Sequence, residues 1–191
     1  MSTVTASGLM TAEEFLALPD DPNIERMLIR GRVWEEPMTR RSRRHSTTES
    51  LVSHRLWQWK EAHPDARGTI AAGEAGCLLR RDPDTIVGID AAYFPEWVAE
   101  CEDDEMTVFD GPPLLAVEVL SPNDTQKKTQ AKVSDYLAAG VKLVWLIDPI
   151  FKTVVVHRPD AAPEMFSGGD EISGDPHLPG LRVQVSSLFA L

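Results

Sequence analysis

One charged residue interrupts the most apolar stretch of this chain. Residues 114–120 form the run LLAVEVL, in which Glu118 is the only charged residue. A nearly continuous apolar run of this length is typical of a strand that is buried on both faces. An ionised carboxylate in such a strand destabilises the fold by several kcal/mol unless it is paired, hydrogen-bonded or bound to a metal. The pattern therefore predicts a central strand and requires a partner for Glu118.

The residues after this strand predict a helix and a second buried strand. Residues 121–124 (SPND) suit a turn and a helix cap, and the helix is expected to end at Ala139, because Gly140 follows in the position of a left-handed cap. Residues 141–147 (VKLVWLI) are again apolar except for Lys142. A connection of about twenty residues that contains a helix favours parallel pairing of the two strands with a right-handed crossover.

The remaining elements follow from capping, turn and periodicity signals. Thr11 and Glu14 form a capping-box pattern ahead of a short helix. A helix is expected over 46–63 with Ser46 or Thr47 as its cap. Two hairpins are predicted, 24–29 with 32–34 and 70–79 with 86–94, followed by an irregular connection over 95–113, a strand over 153–157, a Gly- and Pro-rich stretch over 167–180 and a last strand over 181–185.

Length and composition narrow the class of protein. The 191 residues are 42% hydrophobic, which suits one globular domain. No run approaches the roughly 20 apolar residues of a membrane span, and the first residues lack a cationic and apolar leader, so we expect a cytoplasmic protein without membrane contact. Cys77 and Cys101 do not make a disulfide framework or a zinc-ligand pattern.

The charges are distributed unevenly along the chain. Residues 26–60 contain nine basic and three acidic residues, a local charge of +6, whereas the whole chain has a net charge of −11. Four of the basic residues, Arg40, Arg41, Arg43 and Arg44, are clustered, and we expect them to contact a nucleic-acid backbone. The alternative is that this cluster is only a solvated surface.

Two further residues are candidates for chemistry with Glu118. Asp90 is a carboxylate in the apolar strand 86–94, which could lie beside the Glu118 strand. Two converging carboxylates form a hard-oxygen site that suits Mg²⁺ or Mn²⁺. Lys132 shares a helix face with Asp135, Tyr136 and Ala139 and could reach the carboxylates from that face.

These residues carry a resemblance. The block LAVEVLSP at 115–122, followed by Lys132, Tyr136 and the segments 139–141 and 144–149, resembles the bacterial family of putative restriction endonucleases in the PD-(D/E)XK nuclease superfamily. Weaker matches are Glu25, Gly31, His45, Glu74, Asp90 and the LPGL sequence at 178–181. The resemblance extends from about residue 10 to residue 188. It implies an α/β (α+β) fold with a restriction-endonuclease-like core, a mixed central β-sheet flanked by helices, in a single domain over 1–191 whose first 36 residues add a helix and a hairpin.

The resemblance also implies a site. Asp90, Glu118 and the backbone carbonyl of Val119 would hold Mg²⁺ or Mn²⁺. The lysine that the superfamily carries two residues after the glutamate is Leu120 in this chain, and Lys132 would take its place by orienting water or stabilising charge.

Three more residues have less specific expected roles. Glu74 or Glu25 could hold a second metal ion or act as general base, and His45 could carry a proton or contact a phosphate. The chain departs from the family pattern at Ile89, where a proline is usual, and at Lys128, where an aspartate is common.

The leading hypothesis is a Mg²⁺-dependent endonuclease that hydrolyses DNA phosphodiester bonds as a homodimer. The alternative is a catalytically inactive nuclease fold that binds nucleic acid or protein through its basic residues or through the acidic residues 100–105, with Asp90, Glu118 and Lys132 forming a structural ion-pair network. A glycoside hydrolase is disfavoured, because a lysine beside the two carboxylates suits an anionic substrate.

Overall fold

The fold is built on one large sheet. A computed structural model describes residues 3–5, 8–100, 107–122 and 124–189. The strands are β1 (Thr3–Thr5), β2 (Ile24–Ile29), β3 (Arg32–Pro37), β4 (Gly68–Arg80), β5 (Thr85–Pro95), β6 (Phe109–Asp110), β7 (Leu115–Val119), β8 (Leu143–Asp148), β9 (Thr153–His157), β10 (Glu164–Ser167), β11 (Glu171–Ser173) and β12 (Arg182–Gln184). The helices are α1 (Ala12–Leu16), α2 (Arg43–Ala62), α3 (Glu96–Ala99), α4 (Gln126–Ala139) and a 3-10 turn at Val185–Leu188.

Ten of these strands form a mixed sheet. Its main order is β1, β3, β2, β5, β7, β8, β9, β10, with β4 pairing to β5 and β6 pairing to β4. The predicted parallel pairing of β7 with β8 across α4 is confirmed, with Val117 opposite Trp145. Strand β5, which the sequence suggested could lie beside the Glu118 strand, does pair with β7; the pairing is antiparallel, with Ala91 opposite Val117. The mixed central sheet that the resemblance implied is therefore present.

The two long helices cover opposite faces of this sheet. Leu56 of α2 packs with Val117 and Trp145 in one hydrophobic cluster. Tyr136 of α4 packs with Val144 in a second cluster on the other face. Alternation along β7 and β8 directs successive side chains to the two clusters, so these strands are apolar on both faces. No helix within the described residues is long and apolar enough to cross a membrane.

Several local predictions are confirmed at the level of atoms. Thr11 and Glu14 form the capping box of α1. The turn between β2 and β3 uses Arg30 at φ 53° and Gly31 at φ 73°, the positive values that a tight hairpin requires. Gly140 caps α4 in the left-handed backbone conformation, at φ 104°. Residues with a Cβ adopt this conformation only at an energetic cost.

Two helix starts differ from the prediction. Helix α2 begins at Arg43, with Ser42 as N-cap accepting from the His45 amide, whereas Ser46 or Thr47 was expected. Helix α4 is capped by Thr125 rather than within 121–124, where Asp124 instead accepts a hydrogen bond from the Ser121 amide and closes a turn. The segment before each helix contains several hydroxyl or carboxylate side chains that could act as N-cap, and the apolar periodicity does not determine which of them does.

Two connections contain more structure than the sequence predicted. Strand β6 lies in the supposedly irregular 95–113 connection and pairs with β4. Strand β10 leads into the Gly- and Pro-rich stretch and pairs with β9. Strand β11 lies within that stretch and pairs with β12. These strands are short and lack apolar alternation, so their pairing depends on partners that are distant in sequence. Except for Glu100, the predicted acidic segment 100–105 lies outside the described residues, as does Cys101.

The sheet brings the candidate site together where β5 changes its partner. Strand β5 pairs with β2 at Leu28 and Ile86, and further along it pairs with β7. Continuing the β5–β7 register by one pair places Asp90 opposite Glu118. The two carboxylates therefore come from neighbouring strands, close to the end of β7 where the sheet opens.

The buried thiol of Cys77 gives a test of the packing. Cys77 has no exposed surface, and its burial raises the pKa of its thiol to about 12. Because the thiolate is the reactive form, a Cys101→Ser variant is expected to leave a thiol reagent unreacted near pH 8 and to release one equivalent only in denaturant. Reaction of the folded variant at the rate of the unfolded chain would contradict this packing.

Candidate functional site

The carboxylate of Glu118 is held by two side chains from helix α4. Lys132 Nζ lies 2.7 Å from Glu118 Oε2 and 3.1 Å from the carbonyl oxygen of Gly88. The Tyr136 hydroxyl donates to Glu118 Oε1. Lys132 and Tyr136 are one helical turn apart, so a single face of α4 supplies both donors. The partner that the apolar run required for Glu118 is therefore this lysine and tyrosine pair.

This environment acts on the pKa of Glu118 in two directions. Burial raises the pKa above its ordinary value, and the negative charge of Asp90 adds to the rise. The charge and hydrogen bond of Lys132 and the hydrogen bond of Tyr136 oppose it. Glu118 therefore holds a proton more readily than an exposed glutamate, and its ionisation depends on Lys132.

Asp90 is the buried carboxylate on the neighbouring strand, and it is only 4% exposed. The backbone amide of Val119 donates to its Oδ2 at 2.7 Å, and His45 Nε2 lies 3.3 Å from the same oxygen. Burial alone would raise the pKa of Asp90, but the contacts with His45 and Val119 outweigh it and lower the pKa below its usual value. Asp90 is therefore an ionised carboxylate near neutral pH.

His45 connects Asp90 to a third acidic residue, Glu49. Both lie on α2, one turn apart, and His45 Nδ1 is 3.7 Å from Glu49 Oε2. One ligand atom from each of His45, Glu49 and Asp90 lies within 4.8 Å of the others. This is the group of possible metal ligands found within the described residues.

The donor set of this group fits a divalent cation. His45 Nδ1 is buried and has no hydrogen-bond partner among the described residues. With the ring proton on Nε2 facing Asp90, the lone pair of Nδ1 faces the Glu49 carboxylate, and two acceptors repel unless a cation or a proton lies between them. Burial and the charge of Asp90 both raise the pKa of Glu49, which further favours a positive ion here. One imidazole and two carboxylates suit Mn²⁺ and related ions.

Other residues that the sequence singled out form a second cluster around Arg41. Its guanidinium forms an ion pair with Glu74 and lies 3.7 Å from Glu25 Oε2. Glu74 occupies an irregularity of β4 at φ 58°. The positive charge of Arg41 acts on His45 and Glu49, so this cluster borders the candidate metal group. Arg40, Arg43 and Arg44 are exposed.

The geometry adds one residue that sequence reasoning missed and gives new detail at two others. Glu49 was not singled out, although its position four residues after His45 on a predicted helix was a usable signal. Tyr136 was placed on the correct helix face without its hydrogen bond to Glu118. Val119 was expected to offer its carbonyl to a metal ion, and the structure records its amide as a donor to Asp90.

The dependence of Glu118 on Lys132 gives a stability prediction. Lys132→Met leaves a largely buried carboxylate without its cation and is expected to lower the free energy of unfolding near pH 7 by about 2–4 kcal/mol. Folding raises the pKa of Glu118, so the folded state gains stability relative to the unfolded state as pH falls and this carboxylate takes up a proton. The loss of unfolding free energy in Lys132→Met, relative to wild type, is therefore expected to shrink near pH 5. Urea unfolding at both pH values measures it.

Two variants serve as controls for that measurement. Lys127→Met changes an exposed lysine of the same helix and is expected to have little effect. Combining Lys132→Met with Glu118→Gln removes both charges and is expected to recover part of the loss. A deficit for Lys132→Met that is the same at both pH values would contradict the ion-pair account.

Comparison with known proteins places this chain in a family. The crystal structure of a putative nuclease of the DUF820 family from Anabaena variabilis has the same fold, with a TM-score of 0.77 and 24% sequence identity over 94% of this chain and 97% of the other. No curated protein has significant similarity to this sequence. The model of the Uma2 family, described as putative restriction endonucleases, matches residues 12–186. The match spans nearly the whole chain, which therefore belongs to the Uma2 family of putative restriction endonucleases.

Proposed function

We propose that this protein is a metal-dependent nuclease that hydrolyses DNA phosphodiester bonds. The observation that carries the proposal is the arrangement of Asp90 and Glu118 on neighbouring strands with the Lys132 ammonium 2.7 Å from Glu118. Membership of the family of putative restriction endonucleases supports it. The whole chain, in this proposal, acts as a single nuclease domain.

The proposed metal ligands are the side chains that converge around Asp90. His45, Glu49 and Asp90 would hold the ion, because their ligand atoms already lie within 4.8 Å of one another. Glu118 and the Val119 carbonyl are the additional ligands implied by the family pattern. Mg²⁺ or Mn²⁺ would supply Lewis acidity toward the scissile phosphate and lower the pKa of a bound water.

Lys132 and Tyr136 have separate proposed tasks. Lys132 provides a positive charge beside the carboxylates, where negative charge develops as a phosphodiester is attacked. It is about one-third exposed, whereas Tyr136 has no exposed surface. Lys132 can therefore face the substrate directly. Tyr136 acts through Glu118 by fixing the position of its carboxylate.

The basic residues at the start of α2 would hold the DNA backbone. Arg40, Arg43 and Arg44 are exposed and available, whereas Arg41 is engaged by Glu74 and Glu25. Opening of the Arg41 ion pairs would free both a cation for phosphate and two carboxylates for a second metal ion or a general base. A homodimer would place two such sites side by side, each with its own DNA strand.

The metal site can be tested without measuring activity. Mn²⁺ titrated by calorimetry is expected to bind the wild-type protein, and Asp90→Ala and Glu49→Gln are each expected to weaken binding at least tenfold by removing a ligand. Glu61→Gln, an exposed acidic residue at the other end of α2, is the matched control. Weaker binding in Glu118→Gln but not in Glu49→Gln would favour the ligand set implied by the family pattern.

Catalysis is tested by cleavage of supercoiled and linear DNA with Mg²⁺ or Mn²⁺. Asp90→Ala, Glu118→Ala and Lys132→Ala are each expected to reduce cleavage by about a hundredfold or more, because each removes charge at the reacting phosphate. Circular dichroism checks that each variant is folded. Activity that survives in all three folded variants would overturn the proposal, and DNA binding without cleavage under any metal condition would favour the catalytically inactive binding protein.

A further inference from the structure

A cationic cavity lies beside the candidate metal group, on the other side of the first turns of α2. It has a volume of about 230 Å³ and lies between α2 and the turn that joins β8 to β9. Arg43, Arg44 and Lys152 line it, together with the hydroxyl-bearing Thr47 and Thr48. None of its lining residues is acidic, and no carboxylate of the described residues forms an ion pair with these three cations. In a chain with a net charge of −11, this concentration of unpaired positive charge suits an anion.

The position of the two arginines adds a second argument. Arg43 and Arg44 occupy the first turn of a 20-residue helix that has no acidic residue there. The amino end of a helix carries partial positive charge, so cationic side chains at this end are unfavourable in the free protein. A bound phosphate would offset this repulsion, because it would accept hydrogen bonds from groups that otherwise repel one another. A local violation of the usual charge preference is typical of a functional position.

An exposed aromatic side chain stands next to this cavity. Phe151 is 78% exposed at the β8–β9 turn, between Ile150 and Lys152, two residues that line the cavity. The carboxylate of Asp148 accepts hydrogen bonds from the amides of Ile150 and Phe151 at 2.8 and 3.0 Å, so the turn is held in a defined shape. Aromatic rings beside cationic grooves are stacking platforms for unpaired bases.

The cavity and the candidate metal group are connected through the sheet. Strands β7 and β8 are parallel and end at the same edge, where the Leu120 amide donates to the Ile147 carbonyl at 2.8 Å. Val119, which binds Asp90, therefore lies near the start of the turn that carries Phe151. On α2, Arg44 directly precedes His45. A DNA strand with one phosphate at the metal group can therefore extend toward the cavity.

We propose that this cavity binds a phosphate of single-stranded DNA while Phe151 stacks on an unpaired base of the same strand. The substrate class of the enzyme is then DNA with unpaired nucleotides beside the cut, such as single strands and flaps, rather than uniform duplex. The inference rests on the proposed nuclease function. A protein partner fits the surface less well, because protein interface cores are depleted of charge.

Binding of DNA by the full chain in the presence of a chelator tests this inference without cleavage. The probes are a fluorescent oligothymidylate of about 16 nucleotides and a duplex of equal length, followed by anisotropy. The wild-type protein is expected to bind the single strand more tightly. Phe151→Ala is expected to weaken single-strand binding about five- to a hundredfold and to leave duplex binding nearly unchanged, since stacking needs an unpaired base. Lys152→Ala is expected to reduce the salt dependence of single-strand binding by about 0.7 in the logarithmic slope, the loss of one phosphate contact.

Matched variants separate these effects from general changes in charge or surface. Trp97→Ala removes another exposed aromatic side chain, 66% exposed, and Lys142→Ala removes a lysine at the opposite end of β8 from Lys152. Both are expected to bind the single strand like the wild type.

Three outcomes decide between the possibilities. Single-strand binding that is unaffected by Phe151→Ala and by Lys152→Ala would overturn the inference, even if metal-dependent cleavage is observed. Loss of self-association in Phe151→Ala by sedimentation, with unchanged DNA binding, would also overturn it and make the turn a contact between copies of the chain. The expected binding pattern without metal-dependent cleavage would overturn the nuclease function alone and leave this DNA site in place.

Discussion

The interaction between Glu118 and Lys132 is the constraint on which the rest of the site depends. A carboxylate in the middle of a buried sheet is tolerated only where a cation and a hydrogen-bond donor reach it, and α4 supplies both from one face. The face of α4 that carries these donors also packs on the sheet through Val133 and Tyr136. The Glu118 carboxylate is thus paired with a lysine whose charge also acts on Asp90.

The two carboxylates differ because their surroundings differ. Asp90 accepts hydrogen bonds and faces His45, so its pKa is lowered, whereas burial raises the pKa of Glu118. Two neighbouring carboxylates with opposite shifts divide their tasks, since one remains ionised and can attract a cation while the other exchanges a proton or a partner more readily. The charge of Lys132 lowers the pKa of both carboxylates, so it adds to the shift of Asp90 and opposes the shift of Glu118.

Helix α2 contributes residues to both the candidate metal group and the cationic cavity. Its buried face carries His45 toward Asp90, Glu49 follows one turn later, and the exposed first turn carries Arg43 and Arg44 toward solvent. The N-cap at Ser42 matters for this arrangement, because starting the helix four residues later would remove the arginines from its first turn. The sheet meets this helix with the ends of β7 and β8, so a candidate metal group and a cationic cavity lie on either side of one element.

Much of this arrangement follows from local patterns in the sequence. The apolar runs around Glu118 and Trp145 predicted two central strands, Gly140 predicted the end of the helix between them, and the spacing of Lys132 and Tyr136 predicted their shared face, because each signal depends on residues close in sequence. Two features were decided only by tertiary structure. Glu49 joined Asp90 and His45 because the packing of α2 against β5 brings together residues more than 40 positions apart, and the cationic cavity formed because a turn near residue 150 lies beside a helix that begins near residue 43. The sequence by itself determined which charges must find partners, whereas the crossing of helix and sheet decided which partners they found, since contacts across the sheet leave no periodic signal in the chain.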